Sequence, residues 1–317
     1  MVAGVSEGSA EFLAAELAPR LENLRASLGP ALSDLLTQLL ARHGWTGDWD
    51  RLRHPLGQPI VQLPFWSAEI VSGDREIARS MLDDLAEAAV VGYLHVRIQD
   101  DLIDEGSWPV EEAVLLAEAL LIRHVALLAR HAGNSKGFWG YFQRKGWDYC
   151  DAMLLERRLL RPTSTYGEED FDLVLRRSAA LIIPSALVLD EADRWDLIPQ
   201  LETLVWHMVR SGQLIDDLID VAGDLDRGNF TWVVRRLGGG NGREALLQRL
   251  GLEGGFDEIV DDINRDLDAA DAAAAELGSG WALDWLTARR AAVATRQERF
   301  FARLFGAVKE TLTPDGR

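Results

Sequence analysis

Apolar residues recur at three- and four-residue steps along most of the chain. Phe12, Leu13, Leu17, Leu21, Leu24 and Leu28 form the first series, and 32–40 resume it after Gly29 and Pro30 intervene. The period predicts helix over 10–42. The stretch 43–64 is irregular and holds Pro55, Pro59 and Pro64. Asp74 reads as an N-cap for one long helix over 75–104, and Pro109 opens another over 110–130. Further helices are expected over 138–160, 168–190 with a kink at Pro184, 196–221, 243–250, 256–277 and 281–311. Gly133 to Gly137, Arg161 to Gly167 and Gly238 to Gly242 break the pattern as loops. No segment alternates with the two-residue period of a strand. Residues 1–9 read as a loose, disordered start. No linker, low-complexity tract or repeat divides the rest, so the expectation is a single all-α domain spanning 1–317.

Two of these helices carry acids where apolar residues dominate. The first reads Gln99-Asp100-Asp101-Leu102-Ile103-Asp104. The second reads Gly212-Gln213-Leu214-Ile215-Asp216-Asp217-Leu218-Ile219-Asp220 and runs on to Asp224. The pentad Asp-Asp-Leu-Ile-Asp thus occurs twice. Asp100 and Asp104 lie one turn apart on one helical face, and Asp216, Asp220 and Asp224 repeat that spacing. Carboxylates so placed repel one another unless a cation sits between them. A solvated face is the ordinary meaning of such clusters. Here Val90, Val91, Leu94 and Ile98, and Val205, Val209, Leu214 and Ile215, make the helices apolar on most sides. Buried acids need compensation, so two metal-binding walls facing one pocket are expected. Oxygen ligands without histidine or cysteine point to Mg²⁺ or Mn²⁺.

Charge narrows the partners. Acids number 51 against 33 lysines and arginines, a formal charge of −18. Nucleic acid and anionic membranes are repelled, and a polyanionic substrate requires intervening metal. The single cysteine, Cys150, excludes an internal disulfide and reads as a small packed residue. No basic segment followed by an apolar core opens the chain, and no apolar run reaches bilayer length. A cytoplasmic protein without membrane insertion is expected.

The two stretches resemble the motifs of the class I isoprenoid synthases, the trans-prenyltransferases and class I terpene cyclases. Gln99 to Asp104 looks like their first DDxxD motif, and Gly212 to Asp220 is similar to the second motif of polyprenyl synthases. Asp224-Leu225-Asp226-Arg227-Gly228-Asn229-Phe230-Thr231 resembles the DLxxGKxT segment that follows it there. The resemblance implies a helical bundle around a central cavity and three Mg²⁺ ions on Asp100, Asp101, Asp104, Asp216, Asp217, Asp220 and Asp224. It implies an allylic prenyl diphosphate substrate that ionises to a carbocation and releases diphosphate. A homodimer is implied by resemblance alone.

The departures from the pattern all remove positive charge. Glu105 to Pro109 stands where trans-prenyltransferases carry an arginine pair, with no basic residue before Arg123. Their N-terminal Gly-Lys-Arg segment is only echoed by Arg51-Leu52-Arg53, and the later lysine is Asn229. The second stretch also fits the metal motif of terpene cyclases, with aspartate in place of its Ser and Glu. The expectation is therefore a terpene synthase or cyclase first and a prenyltransferase condensing an allylic substrate with isopentenyl diphosphate second. A non-catalytic partner subunit is the alternative of another class. A ferritin-like di-metal bundle needs Glu-x-x-His motifs, which are absent.

The resemblance to cyclases of this class, which place a diphosphate-sensing arginine on the corresponding helix, implies that role and bidentate donation for Arg176 or Arg177, with Arg177 ahead; Arg227 sits beside the second metal motif. Gln213 and Asn229 are further substrate contacts, and Arg296 and Arg299 are weaker candidates. Eleven tryptophans suit a pocket that stabilises a cation by aromatic faces. Phe65 and Trp66 are expected to line it, with Phe138, Trp139, Phe142, Trp147 and Trp206 as further candidates.

Overall fold

The structure is a computed structural model that describes residues 12–42, 52, 54, 58–104, 109–161 and 164–312, the side chains at 14, 103, 104 and 300–312 excepted. Among them no strand forms. A π-helical turn, Phe12–Glu16, leads into α1 (Leu17–Ser27), α2 (Pro30–Arg42) and α3 (Gln62–Val71). Then come α4 (Arg79–Asp104), α5 (Val110–Ala132) and α6 (Lys136–Leu159). After α7 (Glu168–Val174) a 3₁₀ segment, Leu175–Ile182, precedes α8 (Ile183–Glu191). The long α9 (Ile198–Arg227) is followed by α10 (Trp232–Arg236), α11 (Arg243–Gly251), α12 (Gly255–Leu277) and α13 (Gly280–Leu312).

Local chemistry fixes the ends of several helices. Glu111 and Glu112 in the first turn of α5 and Arg130 and His131 in its last complement the helix dipole. In α6, the Ser135 hydroxyl accepts from the Phe138 N–H at 3.2 Å. A proline in the first turn opens α9, and Gly228 at φ 78° closes it. There the Asn229 N–H donates to the Asp224 carbonyl at 2.8 Å. The helix therefore persists through Gly223, and Asp216, Asp220 and Asp224 share one stripe.

Four expectations change. Helix α4 begins at Arg79, not 75. Asp74 sits in the turn after α3 and pairs with Arg194. Pro64 lies inside α3 rather than in an irregular stretch. The helix expected over 168–190 is three pieces. Pro184 stands in the first turn of α8, where its missing N–H is tolerated. Immediately upstream the chain tightens, and the Ile183 N–H donates to Ala180 through a three-residue turn.

The core forms where α4 packs along α5, α9 along α12, and the 3₁₀ segment and α8 on α6. Phe65 and Trp66 belong to this core, 3% and 0% exposed. Trp66 meets Trp285 edge-on with ring centroids 5.9 Å apart. Neither lines the cavity that Asp100 and Arg177 share between α4, α6 and α8, which corrects their expected role in substrate contact. Trp66→Ala is expected to lower stability by about 3–5 kcal/mol, read as a shift of the urea unfolding midpoint. An unshifted midpoint would contradict the packing role.

Candidate active site

One cavity of about 710 Å³ is walled by α4, α5, α6, the 3₁₀ segment and α8, with Gln213 of α9; of the two acidic motifs Asp100 lines it, and none of the α9 aspartates does. Asp100, Arg97, Arg177 and Gln213 stand on its lining. Below them the wall is aromatic and apolar, with Tyr93, Val96, Leu121, Trp139, Phe142 and Trp147. Of the aromatic residues singled out in the sequence, Trp139, Phe142 and Trp147 reach this cavity. Phe138 is buried in the core, and Trp206 lines a second depression together with Arg176. Arg176 is exposed, so the 3₁₀ segment sends the two neighbouring arginines to different places.

On α4, Arg97 reaches Asp100 at 3.3 Å and Asp101 at 3.4 Å. Asp101 is buried and also bonds to Arg42 at 3.4 Å. It is thus a partner of two arginines and does not line the cavity. The Asp104 side chain lies outside the described residues, as do Arg51, Arg53 and 105–108.

On α9 the acids differ in exposure. Asp216 and Asp220 are exposed, whereas Asp217 and Asp224 are buried. The walls around Asp216 withhold bulk water, and Asp220 repels it. Its pKa is pushed up to about 6 against the pull of Arg289, Arg177 and Arg97. Burial pushes Asp217 up to about 7 although Gln213 donates to it. Burial also raises Asp224, despite an ion pair to Arg227 at 2.6 Å. Arg227 is otherwise on the surface, and Asn229 follows the helix cap rather than entering the cavity. Arg296 and Arg299 are exposed on α13 and are not brought to the site.

A hydrogen-bonded chain joins the walls. Arg177 pairs with Glu156 and donates to Gln213 Oε1 at 2.6 Å. Gln213 in turn donates to Asp217 Oδ1 at 2.6 Å. Burial alone would lower the Arg177 pKa, but Glu156, Asp100 and Asp217 outweigh it and raise it. Tyr149 donates to Gln99 at 2.5 Å from the opposite helix. Burial raises the Tyr93 phenol, and both Asp100 and Asp216 add to that rise; the same side chain feels both walls. Arg42, Glu156 and Tyr149 were not among the expected site residues. Cys150, expected to be packed, is exposed at the cavity lining.

Two imidazoles stand in the cavity wall, and both are kept neutral by burial. His95 Nδ1 bonds to the Ala117 carbonyl at 2.8 Å, and His124 Nδ1 to the Ala88 carbonyl at 2.7 Å. Burial pushes His124 down to about 4 from 6.5. Between these values the unfolded chain takes up a proton that the folded chain refuses. The stabilising contribution is complete above pH 6.5 and is lost as pH falls towards 4. At about 1.4 kcal/mol per unit, this amounts to roughly 3 kcal/mol. His124→Asn, which keeps an N–H for Ala88, is expected to flatten the fall of the unfolding temperature across this window. An unchanged slope would contradict the assignment.

No family profile matches the sequence, and no curated protein sequence matches it. Solved structures do match in shape. A geranylgeranyl pyrophosphate synthetase from the archaeon Geoglobus acetivorans superposes with a TM-score of 0.69 at 15% identity, covering 90% of this chain and 99% of that one. Geranylgeranyl pyrophosphate synthase from Corynebacterium glutamicum, complexed with calcium and isoprenyl diphosphate, gives 0.66 at 18% identity over 94% and 99%. Heptaprenyl diphosphate synthase from Staphylococcus aureus gives 0.58 at 17% identity over 90% and 96%. This chain has the all-α fold of the class I isoprenoid synthases. No helix among the described residues is long and apolar enough to cross a membrane.

Proposed function

We propose that this chain is a divalent-cation-dependent prenyl diphosphate enzyme, and that it acts as a trans-prenyltransferase. The observation that carries the proposal is a single cavity with an acid–arginine rim and an apolar, aromatic body. The rim suits diphosphate, and the body suits a prenyl chain. The sequence alone favours cyclisation. The fold similarity to synthases that make prenyl diphosphates supports elongation instead.

The donor set fits a hard cation, since every candidate ligand is a carboxylate. Asp100, Asp216 and Asp220 would hold it, with Asp101, Asp217 and Asp224 behind them. Among the described residues, no three metal-ligating side chains converge on one point. Substrate oxygens and water would complete the shells, as Mg²⁺ sites commonly require. When bound, Mg²⁺ neutralises charge on the departing diphosphate.

The chain's own residues do the rest. Arg177, held by Glu156 and Gln213, presents a fixed cation to diphosphate oxygens. Tyr93, Trp139, Phe142 and Trp147 offer aromatic faces to an allylic cation. His95 and His124 stay neutral at physiological pH, so they add no repelling charge. Cyclisation is the second reading, favoured by this aromatic lining.

Incubation with C10, C15 and C20 allylic diphosphates and Mg²⁺, with and without isopentenyl diphosphate, separates the two. Longer diphosphates formed only with isopentenyl diphosphate are expected. Hydrocarbon or alcohol from the allylic substrate alone would replace elongation with cyclisation.

A homodimer accords with the same proposal. Among the described residues, Val110, Val114, Leu115 and Ile122 on α5 and Trp147 and Leu154 on α6 are exposed. Sedimentation velocity at micromolar concentration is expected to show a dimer that Leu115→Glu together with Ile122→Glu dissociates. A monomeric wild-type chain would contradict it.

A further inference from the structure

Gly212 begins the stripe that Asp216, Asp220 and Asp224 continue, each four residues on. Glycine inside a helix costs about 1 kcal/mol relative to alanine, so the position calls for a reason. A Cβ at Gly212 would stand 2.7 Å from Arg289 Nη2 and 2.7 Å from Gln58 Nε2. The guanidinium of an arginine on α13 therefore fills the place where the stripe lacks a side chain.

Arg289 is held there firmly. It is 0% exposed, and its Cζ lies 4.9 Å from the Trp285 ring centroid. Trp285 is itself buried and packed edge-on against Trp66. A buried cation needs opposite charge nearby. One helical turn, about 6 Å along the axis, separates Gly212 from Asp216. Each pulls on the other: Asp216 raises the Arg289 pKa against burial, and Arg289 lowers that of Asp216. The two acidic walls thus each have an arginine. Arg97 belongs to the helix of the first, whereas the second receives Arg289 across Gly212.

We propose that Arg289 is the positioning residue of the second acidic wall, a fixed counter-charge that makes cation binding at Asp216 and Asp220 depend on diphosphate. This role rests on the acidic walls binding divalent cations. Alone, Arg289 opposes a cation at the head of the stripe. When diphosphate arrives, its negative charge outweighs that opposition, and Arg289 attracts it. Once diphosphate leaves, the ions are held less tightly and depart too. A unit charge at this range, in a partly screened site, changes affinity about ten-fold.

Calorimetric titration of the full chain with Mn²⁺ alone, and with inorganic diphosphate in the presence of Mg²⁺, tests this. Arg289→Met is expected to bind Mn²⁺ about ten-fold tighter than wild type and inorganic diphosphate more weakly. Arg289→Lys should restore both affinities towards wild type, which a purely packing role would not require. Gly212→Ala is a second route. It keeps the charge but displaces the flexible ends of Arg289 and Gln58, so both affinities should shift in the Arg289→Met direction. It decides the matter should Arg289→Met fail to fold. Wild-type affinities in whichever of these two variants folds would overturn the role of Arg289 while leaving the acidic walls intact. A wild-type chain that binds neither Mn²⁺ nor inorganic diphosphate would overturn the walls and this role together.

Discussion

Asp216→Ala is expected to lower turnover of an allylic diphosphate by about two to three orders of magnitude, the usual loss when one transition-state charge stabiliser is removed. The fold should survive the change. Asp216 is exposed on α9, and the surrounding walls together with Asp220 already push its pKa up to about 6. Removing it takes a counter-charge from the buried Arg289, whose packing over the Trp285 ring remains. Far-UV circular dichroism should match wild type. Asp216→Asn should lose nearly as much turnover as alanine, because charge rather than shape is required. Asp100→Ala is expected to act in the same way on the opposite wall. Retention of activity in both alanine variants would remove the acidic walls from the mechanism.

Arg177→Met is expected to damage both stability and turnover. Arg177 is the cation that Glu156 and Asp217 share, directly and through Gln213. Asp217 is 5% exposed, and the Glu156 side chain 16%. Without the guanidinium both carboxylates stay behind in a desolvated place. Breaking such a group from one side costs about 3–5 kcal/mol, read as a fall in the urea midpoint. Arg177→Lys keeps the charge but not the fork that serves Glu156 and Gln213 together. It should recover much of the stability and little of the turnover. An Arg177→Met variant with the wild-type midpoint would contradict the shared-cation arrangement.

The acidic stripes were legible in the sequence because they are local. Four-residue spacing places Asp216, Asp220 and Asp224 on one face whatever the tertiary fold, and Gly228 with Asn229 supplies the stop. The apolar flanks told that these helices lie inside a bundle. What could not be read is what arrives from afar. Arg42 meets Asp101 across 59 residues, and Glu156 meets Arg177 across 21. Nothing in the spacing of either pair announces the contact. Arg289 is hidden further: its side chain fills a gap at Gly212, and a glycine in a helix carries no sign of what occupies its empty side. Pro184 misled for a physical reason. A proline in a helical pattern signals a kink or a start with equal force, and here it starts α8. Phe65 and Trp66 looked like pocket liners because aromatic character alone does not separate a cavity wall from a core.

The central claim is that cations on two acidic walls activate a prenyl diphosphate. Release of inorganic diphosphate from C10, C15 and C20 allylic diphosphates, supplied with isopentenyl diphosphate and followed with Mg²⁺ and then with excess EDTA, tests it most directly. The account predicts release from at least one substrate that EDTA abolishes, Mg²⁺ restores and Asp216→Ala removes. Release that persists in EDTA, or none from any of the three, would contradict it.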